Sequence, residues 1–171
     1  METALKTKSI TISLIQFLSI LSIIILAQVI FKNQFITGSI INALLICSVF
    51  FLGLRQSIGI AIIPSLFSVL TGLMAPAIIP FVPFIISGNI ILVVTFNYLK
   101  NSYFLAGAIG AVLKFAFLFL SSNYLFSFLP EPILYAMSYP QLITAILGVV
   151  LAFIILKKYK KSIKKQDNVL F

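Results

Sequence analysis

Charged residues, prolines and small polar clusters cut this chain into apolar runs, each about as long as a bilayer is thick, and nothing else in it constrains the fold so tightly. The runs cover residues 9–31, 36–54, 57–74, 81–99, 102–120 and 139–156. A helix rises 1.5 Å per residue, so roughly 20 apolar residues reach across the ~30 Å hydrocarbon core. The expectation is an all-α polytopic membrane protein: one bundle of about six transmembrane helices forming a single domain over residues 1–171, in which 157–171 is a basic cytoplasmic tail. Composition agrees, with 61% hydrophobic and 9% charged residues, where a soluble domain carries about a quarter charged. A water-soluble fold of this size has no interior large enough to hide so much apolar surface.

Two stretches need separate reading. The first run follows Lys6 and Lys8 and so resembles a secretion signal, but it exceeds the ~7–15 apolar residues of a signal core and no small-residue cleavage site precedes Lys32. It is expected to be a retained first helix. Between Gly72 and Pro83, Pro76, Pro80 and Pro83 interrupt an otherwise continuous apolar stretch. Prolines remove backbone donors, so a turn, a re-entrant piece or a broken helix is expected there, and any other helix count would arise at this join.

Orientation follows from the basic residues, which are retained on the cytoplasmic side. With the N-terminus inside, Lys6, Lys8, Arg55, Lys100 and the tail lysines Lys157, Lys158, Lys160, Lys161, Lys164 and Lys165 all fall inside, and only Lys32 falls outside. The expected location is the cell membrane, multi-pass, with both termini cytoplasmic. The net charge of +9 thus reads as a stop signal beside anionic headgroups, with membrane lipids rather than nucleic acid as the partner. On the outer side, residues 121–138 are aromatic and moderately polar, which fits an interfacial lid or short helix, or an aromatic belt.

The residues present exclude most chemistry. There is no histidine, and the only acids are Glu2, Glu131 and Asp167, so a carboxylate dyad, a histidine metal site and a Ser-His-Asp triad cannot be assembled. No phosphate-binding glycine loop is present. The lone Cys47 excludes disulfides and CxxC pairs within the chain. No enzyme, cofactor or metal is expected.

What remains is a small polar set inside the helices. Asn42, Asn89 and Gln141 fall in the outer halves of the second, fourth and sixth runs, Thr144 lies one turn below Gln141, and Lys114 sits near mid-membrane in the fifth. A lysine there costs roughly 2.5–3.5 kcal/mol on insertion scales. It either faces an anionic or carbonyl-bearing ligand, or snorkels or bonds structurally to a neighbour such as Asn89. Asn42, Asn89, Gln141 and Thr144 each fit interhelical bonding as well as ligand contact. Tyr139, with Tyr124 and Tyr135, would line the pocket mouth or join the belt. Gln16, Gln28 and Asn97 read as structural. Small residues at four-residue spacing, Ala106 with Gly110 and Gly107 with Ala111, mark the fifth helix as central.

Several segments together resemble a known family. Ser68-Val69-Leu70-Thr71-Gly72-Leu73-Met74-Ala75-Pro76, Pro80-Phe81-Val82-Pro83-Phe84, Ser87-Gly88-Asn89 and the Tyr139-Pro140-Gln141-Leu142 start of the last helix look like the substrate-binding (S) components of energy-coupling factor transporters. The resemblance implies a vitamin or precursor bound from outside, and association with a transmembrane coupling protein and ATPase subunits. Family members commonly dock through alanines four apart on the first helix, where this chain has Ser9 and Ser13. Metal-specific members use N-terminal histidines, so their absence here implies a small organic molecule. The other reading is a non-transport membrane scaffold or assembly subunit whose polar residues merely hold helices together.

Overall fold

The computed structural model describes the backbone of residues 2–167 and the side chains of residues 10–159 and of Lys161. The helices are α1 (Glu2–Ile30), α2 (Gln34–Leu52), α3 (Leu54–Leu70), α4 (Val82–Leu99), α5 (Tyr103–Leu125), the short α6 (Glu131–Ala136) and α7 (Tyr139–Asp167), with no strand among the described residues. The chain is an all-α bundle. The segments of α1, α2, α4, α5 and α7 are long and apolar enough to cross a membrane. α3, with 17 residues, is about 25 Å long, at the lower limit of a span.

Local chemistry explains most of the breaks. The Asn33 side chain accepts the backbone N–H groups of Phe35 and Ile36, capping the N-terminus of α2. Gly53 takes φ +79°, a conformation glycine adopts without a Cβ penalty, and so α3 starts immediately after α2 ends. The proline-rich join is a turn followed by a 3-10 helix at Pro76–Phe81 that runs straight into α4. Residues 126–138 hold α6, the short helix being one of the forms expected there. Three boundaries differ clearly from the expectation: α1 begins at Glu2 instead of residue 9, α5 runs to Leu125 instead of residue 120, and α7 continues through the lysine-rich segment to Asp167 instead of ending at residue 156. Lysine is a good helix former, and the switch from apolar to charged residues ends the membrane-like run without ending the helix. The side chains of Ser9, Lys160, Lys164 and Lys165 lie outside the described residues.

The long helices alternate in direction. Residues 31–33, 71–81 and 126–138 therefore gather at one end, the loop end. Both helix termini nearest the chain ends gather with Gly53 and residues 100–102 at the other, the terminal end.

α2 packs most extensively on α7 and also touches α1, α3 and α4, while α5 lies mainly against α4 and α7. The central helix is thus α2 rather than α5. The small residues of α5 have a narrower role, since Gly107 faces Val149 and Gly110 faces Leu92. The tightest approach is α2 on α7, where a Cβ on Gly148 would stand 2.5 Å from Asn42 Cβ and 2.9 Å from the Ala43 nitrogen.

Apolar side chains fill the interior and also coat the exterior. Leu45, Ile46, Ile60, Leu92 and Val93 are fully enclosed, while Leu14, Leu18, Leu66, Leu113 and Ile154 are exposed. Such a coat suits lipid rather than water. A second core cluster at the loop end joins Phe81, Leu118 and Met137, with Phe84, Phe117 and Phe126 packed around them.

Candidate functional site

Most hydroxyls in the helices spend their hydrogen bond locally. Ser39, Ser57, Ser87 and Ser121 each donate to the carbonyl four residues back, the usual way a helix satisfies a hydroxyl in apolar surroundings. That separates them from the few side chains that reach across helices.

Lys114 is the central residue of α5 and is only 3% exposed. Its Nζ donates to Asn42 Oδ1 on α2 at 2.7 Å and to Asn89 Oδ1 on α4 at 2.8 Å. Asn42 Nδ2 in turn donates weakly to Thr144 Oγ1 on α7 at 3.4 Å, and Thr144 Oγ1 donates to the Gln141 carbonyl at 3.2 Å. Four helices are thereby tied at one depth. Burial is possible for the stem because Gly88, beside Asn89, leaves room for Lys114 Cγ and Leu118 against α4.

An ammonium has three donors, and protein groups take two of them. Lys114 also lines a chamber of about 190 Å³, together with Asn42, Asn89, Gln28, Gln34 and Gln141. Its apolar walls include Ile41, Ile60, Pro64, Met74 and Ile85. Toward the loop end the chamber shares Gln28, Gln34, Thr37, Met74, Ile85 and Gln141 with a vestibule of about 440 Å³, which adds Lys32, Ser68, Ala136 and Met137. The arrangement is a funnel with an ammonium at its floor and amides around its neck.

The structure brings Lys114, Asn42, Asn89 and Gln141 to this chamber, and places Thr144 directly behind Asn42, buried and outside the lining. Tyr139 is exposed and packs on Phe115 and Phe119 of α5, and it is not among the lining of the chamber or the vestibule. Tyr124 and Tyr135 are likewise exposed and line neither. An amphipathic ring near a helix end finds the outer aromatic face before it finds a polar interior.

Gln28 is the residue the sequence undervalued. Its Oε1 is buried with no hydrogen-bond partner, and it lines both chamber and vestibule. The signal was present: an amide within α1 in a run whose other neighbours are apolar. Gln34 and Thr37 were missed because they stand at the start of α2, where polar residues are ordinary.

Ser13, considered as part of a docking surface, donates to Gln56 Oε1 on α3 at 2.9 Å and so contributes to packing within the bundle. Among the described residues no group of three or more metal-ligating side chains gathers. No family model, curated protein or solved structure matches the chain.

Proposed function

We propose that this chain is the membrane-embedded substrate-binding subunit of an energy-coupling factor type transporter, capturing a small organic solute, a vitamin or a precursor, from outside the cell. The observation that carries the reading is the enclosed Lys114 ammonium at the floor of a chamber that widens toward the loop end. A buried ionisable group inside a membrane bundle is costly and marks a pathway or binding site by default.

On this reading the loop end faces outward and the terminal end, with Arg55, Lys100, Lys157 and Lys158, faces the cytoplasm. The chain has no nucleotide loop of its own, so energy for release inward comes from ATPase partners reached through a coupling protein in the membrane. The chamber alone is smaller than the ~300–1,000 Å³ of sites for drug-sized ligands. The solute is accordingly small, or it extends into the vestibule.

The scaffold reading has one observation in its favour, that Lys114, Asn42, Asn89 and Thr144 bond to one another without any ligand. Uptake and binding by a Lys114→Met variant decide between the two. Solute capture requires that mass spectrometry of the purified protein finds a co-purifying small molecule, and that Lys114→Met loses both this molecule and cellular uptake. A variant that keeps assembly and cellular function intact, from a protein that carries no small molecule, establishes the scaffold.

A further inference from the structure

The polarity of the funnel restricts the solute further than its size does, and the inference rests on the solute-capture reading above. Lys114 places a basic amino group inside the bundle, yet no carboxylate accompanies it: Glu131 is exposed at the start of α6, and Glu2 and Asp167 stand at the far ends of α1 and α7. Its two protein partners are neutral amide oxygens. A buried cation without a counter-ion favours an anionic guest, and Lys32 at the vestibule places a second cation at the mouth.

The neck has the opposite character. Gln34 Nε2 and Gln141 Nε2 both donate to the Ala136 carbonyl, at 2.8 and 3.2 Å. With their nitrogens anchored on α6, these side chains offer Oε1 as acceptors. The buried Gln28 Oε1 joins them and accepts from nothing in the protein. Between floor and neck the walls are apolar, with Ile41, Ile60 and Ile85 among them.

We infer that the chamber takes a small carboxylate whose opposite end carries N–H or O–H donors, the carboxylate seated on Lys114 and the donors on the amide oxygens of Gln28, Gln34 and Gln141. A single ammonium flanked by neutral amides matches one carboxylate better than a phosphate, which draws on several cations, forked guanidinium groups or helix N-termini. The only arginine, Arg55, is at the terminal end.

The test uses the full chain in lipid nanodiscs. Calorimetric titration compares a homologous series of short ω-amido carboxylates with their methyl esters and with plain alkyl carboxylates of equal length. In parallel, any co-purifying molecule is identified by mass spectrometry. The acids are expected to bind at least about tenfold more tightly than their esters, a modest return for a charge-assisted bond in a desolvated site. Lys114→Met abolishes that difference, and Gln28→Leu erases the preference for amido over plain acids. The acid-to-ester contrast needs no variant, so a poorly folding substitution does not decide the matter. Esters binding as tightly as acids, or a co-purified molecule that is neutral or cationic, overturns the carboxylate assignment and leaves solute capture standing. A co-purified acid without donors overturns the donor half. Silence throughout, in the titrations and in the extracted protein alike, removes solute capture and this inference with it.

Discussion

The two ends of the bundle each hold a cavity bordered by lysine, and they differ in what holds the lysine. At the loop end the chamber is about 190 Å³, and Lys114 is clamped between Asn42 and Asn89 from different helices. At the terminal end a roomier cleft of about 330 Å³ is bordered by Lys100, Asn101 and Lys157 over a floor of rings that includes Phe96, Tyr103 and Phe153. There Lys157 Nζ lies 5.8 Å from the ring of Phe153 on its own helix, and no hydrogen bond ties Lys100, Asn101 or Lys157 across the cleft among the described residues. The cleft is larger than the chamber and the less constructed of the two. Volume arises wherever helix ends splay, whereas a desolvated charge held by opposing helices persists only if surrounding structure fixes it.

The largest test of that contrast removes the clamp. Asn42→Leu or Asn89→Leu leaves the ammonium short of a partner in a closed space, and losing a hydrogen bond to a buried charged group typically costs about 1.5–3 kcal/mol. Each single variant is expected to lose stability on that scale, read from thermal or denaturant unfolding in detergent. The triple variant Lys114→Met, Asn42→Leu, Asn89→Leu removes the charge together with its partners and should recover most of that loss while losing any bound solute. A mild effect of Asn42→Leu, no greater than that of a surface change, would show that the clamp does not hold the loop end together.

A smaller effect is expected at the seam between α2 and α7. Gly148→Ala puts a Cβ against Asn42 Cβ and the Ala43 nitrogen, where the tightest approach is 2.5 Å, and backbone there cannot swing away as a flexible side chain would. Overpacking of this kind costs about 1–3 kcal/mol. Because Asn42 is itself pushed, solute affinity should fall together with melting temperature. A drop in melting temperature with unchanged affinity would mean that the α2–α7 spacing and the chamber are independent.

These differences bear on how much could be read from the chain before its structure. The spans were legible because apolar length is a local property, and Asn33, Gly53 and the prolines punctuate it where the helices break or bend. Lys114 was legible because its cost is local too. Its partners were half legible: depth along each helix follows from counting residues, but which way Asn42 or Gln28 faces depends on rotation about the helix axis. In a run that is apolar on every side, no amphipathic stripe sets that rotation. For the same reason the central place of α2 was hidden. Its contacts come from Gly148 on another helix and from residues as unremarkable as Leu45 and Ile46, whereas the small-residue run of α5 advertises only two of the neighbours a helix may have.

At the terminal end, Tyr103 ties two helices beside the cleft, its hydroxyl donating to the Val149 carbonyl at 3.0 Å. Tyr103→Phe keeps the ring packing against Phe96 and Phe153 and deletes only that bond. The expected loss is about 0.5–1.5 kcal/mol in unfolding free energy, with solute affinity unchanged. A fall in affinity as large as that from Gly148→Ala would break the separation between the two ends.

The smallest expected effect belongs to Lys157. If the terminal cleft is only a gap between helix ends, neutralising its lysine removes an exposed cation–π contact worth about 0.5–1 kcal/mol within one helix and touches nothing that α2, α4 or α5 supply. Lys157→Gln should therefore leave solute affinity and melting temperature near those of the parent protein, while slightly weakening association with vesicles rich in anionic lipid, since each juxtamembrane lysine contributes about 1 kcal/mol to that attraction. Titration of the probe carboxylates and flotation with vesicles containing phosphatidylserine measure the two separately. An effect on solute binding comparable to that of Lys114→Met would mean that the two ends are coupled through the bundle, and that charge at the terminal end helps set the state of the chamber.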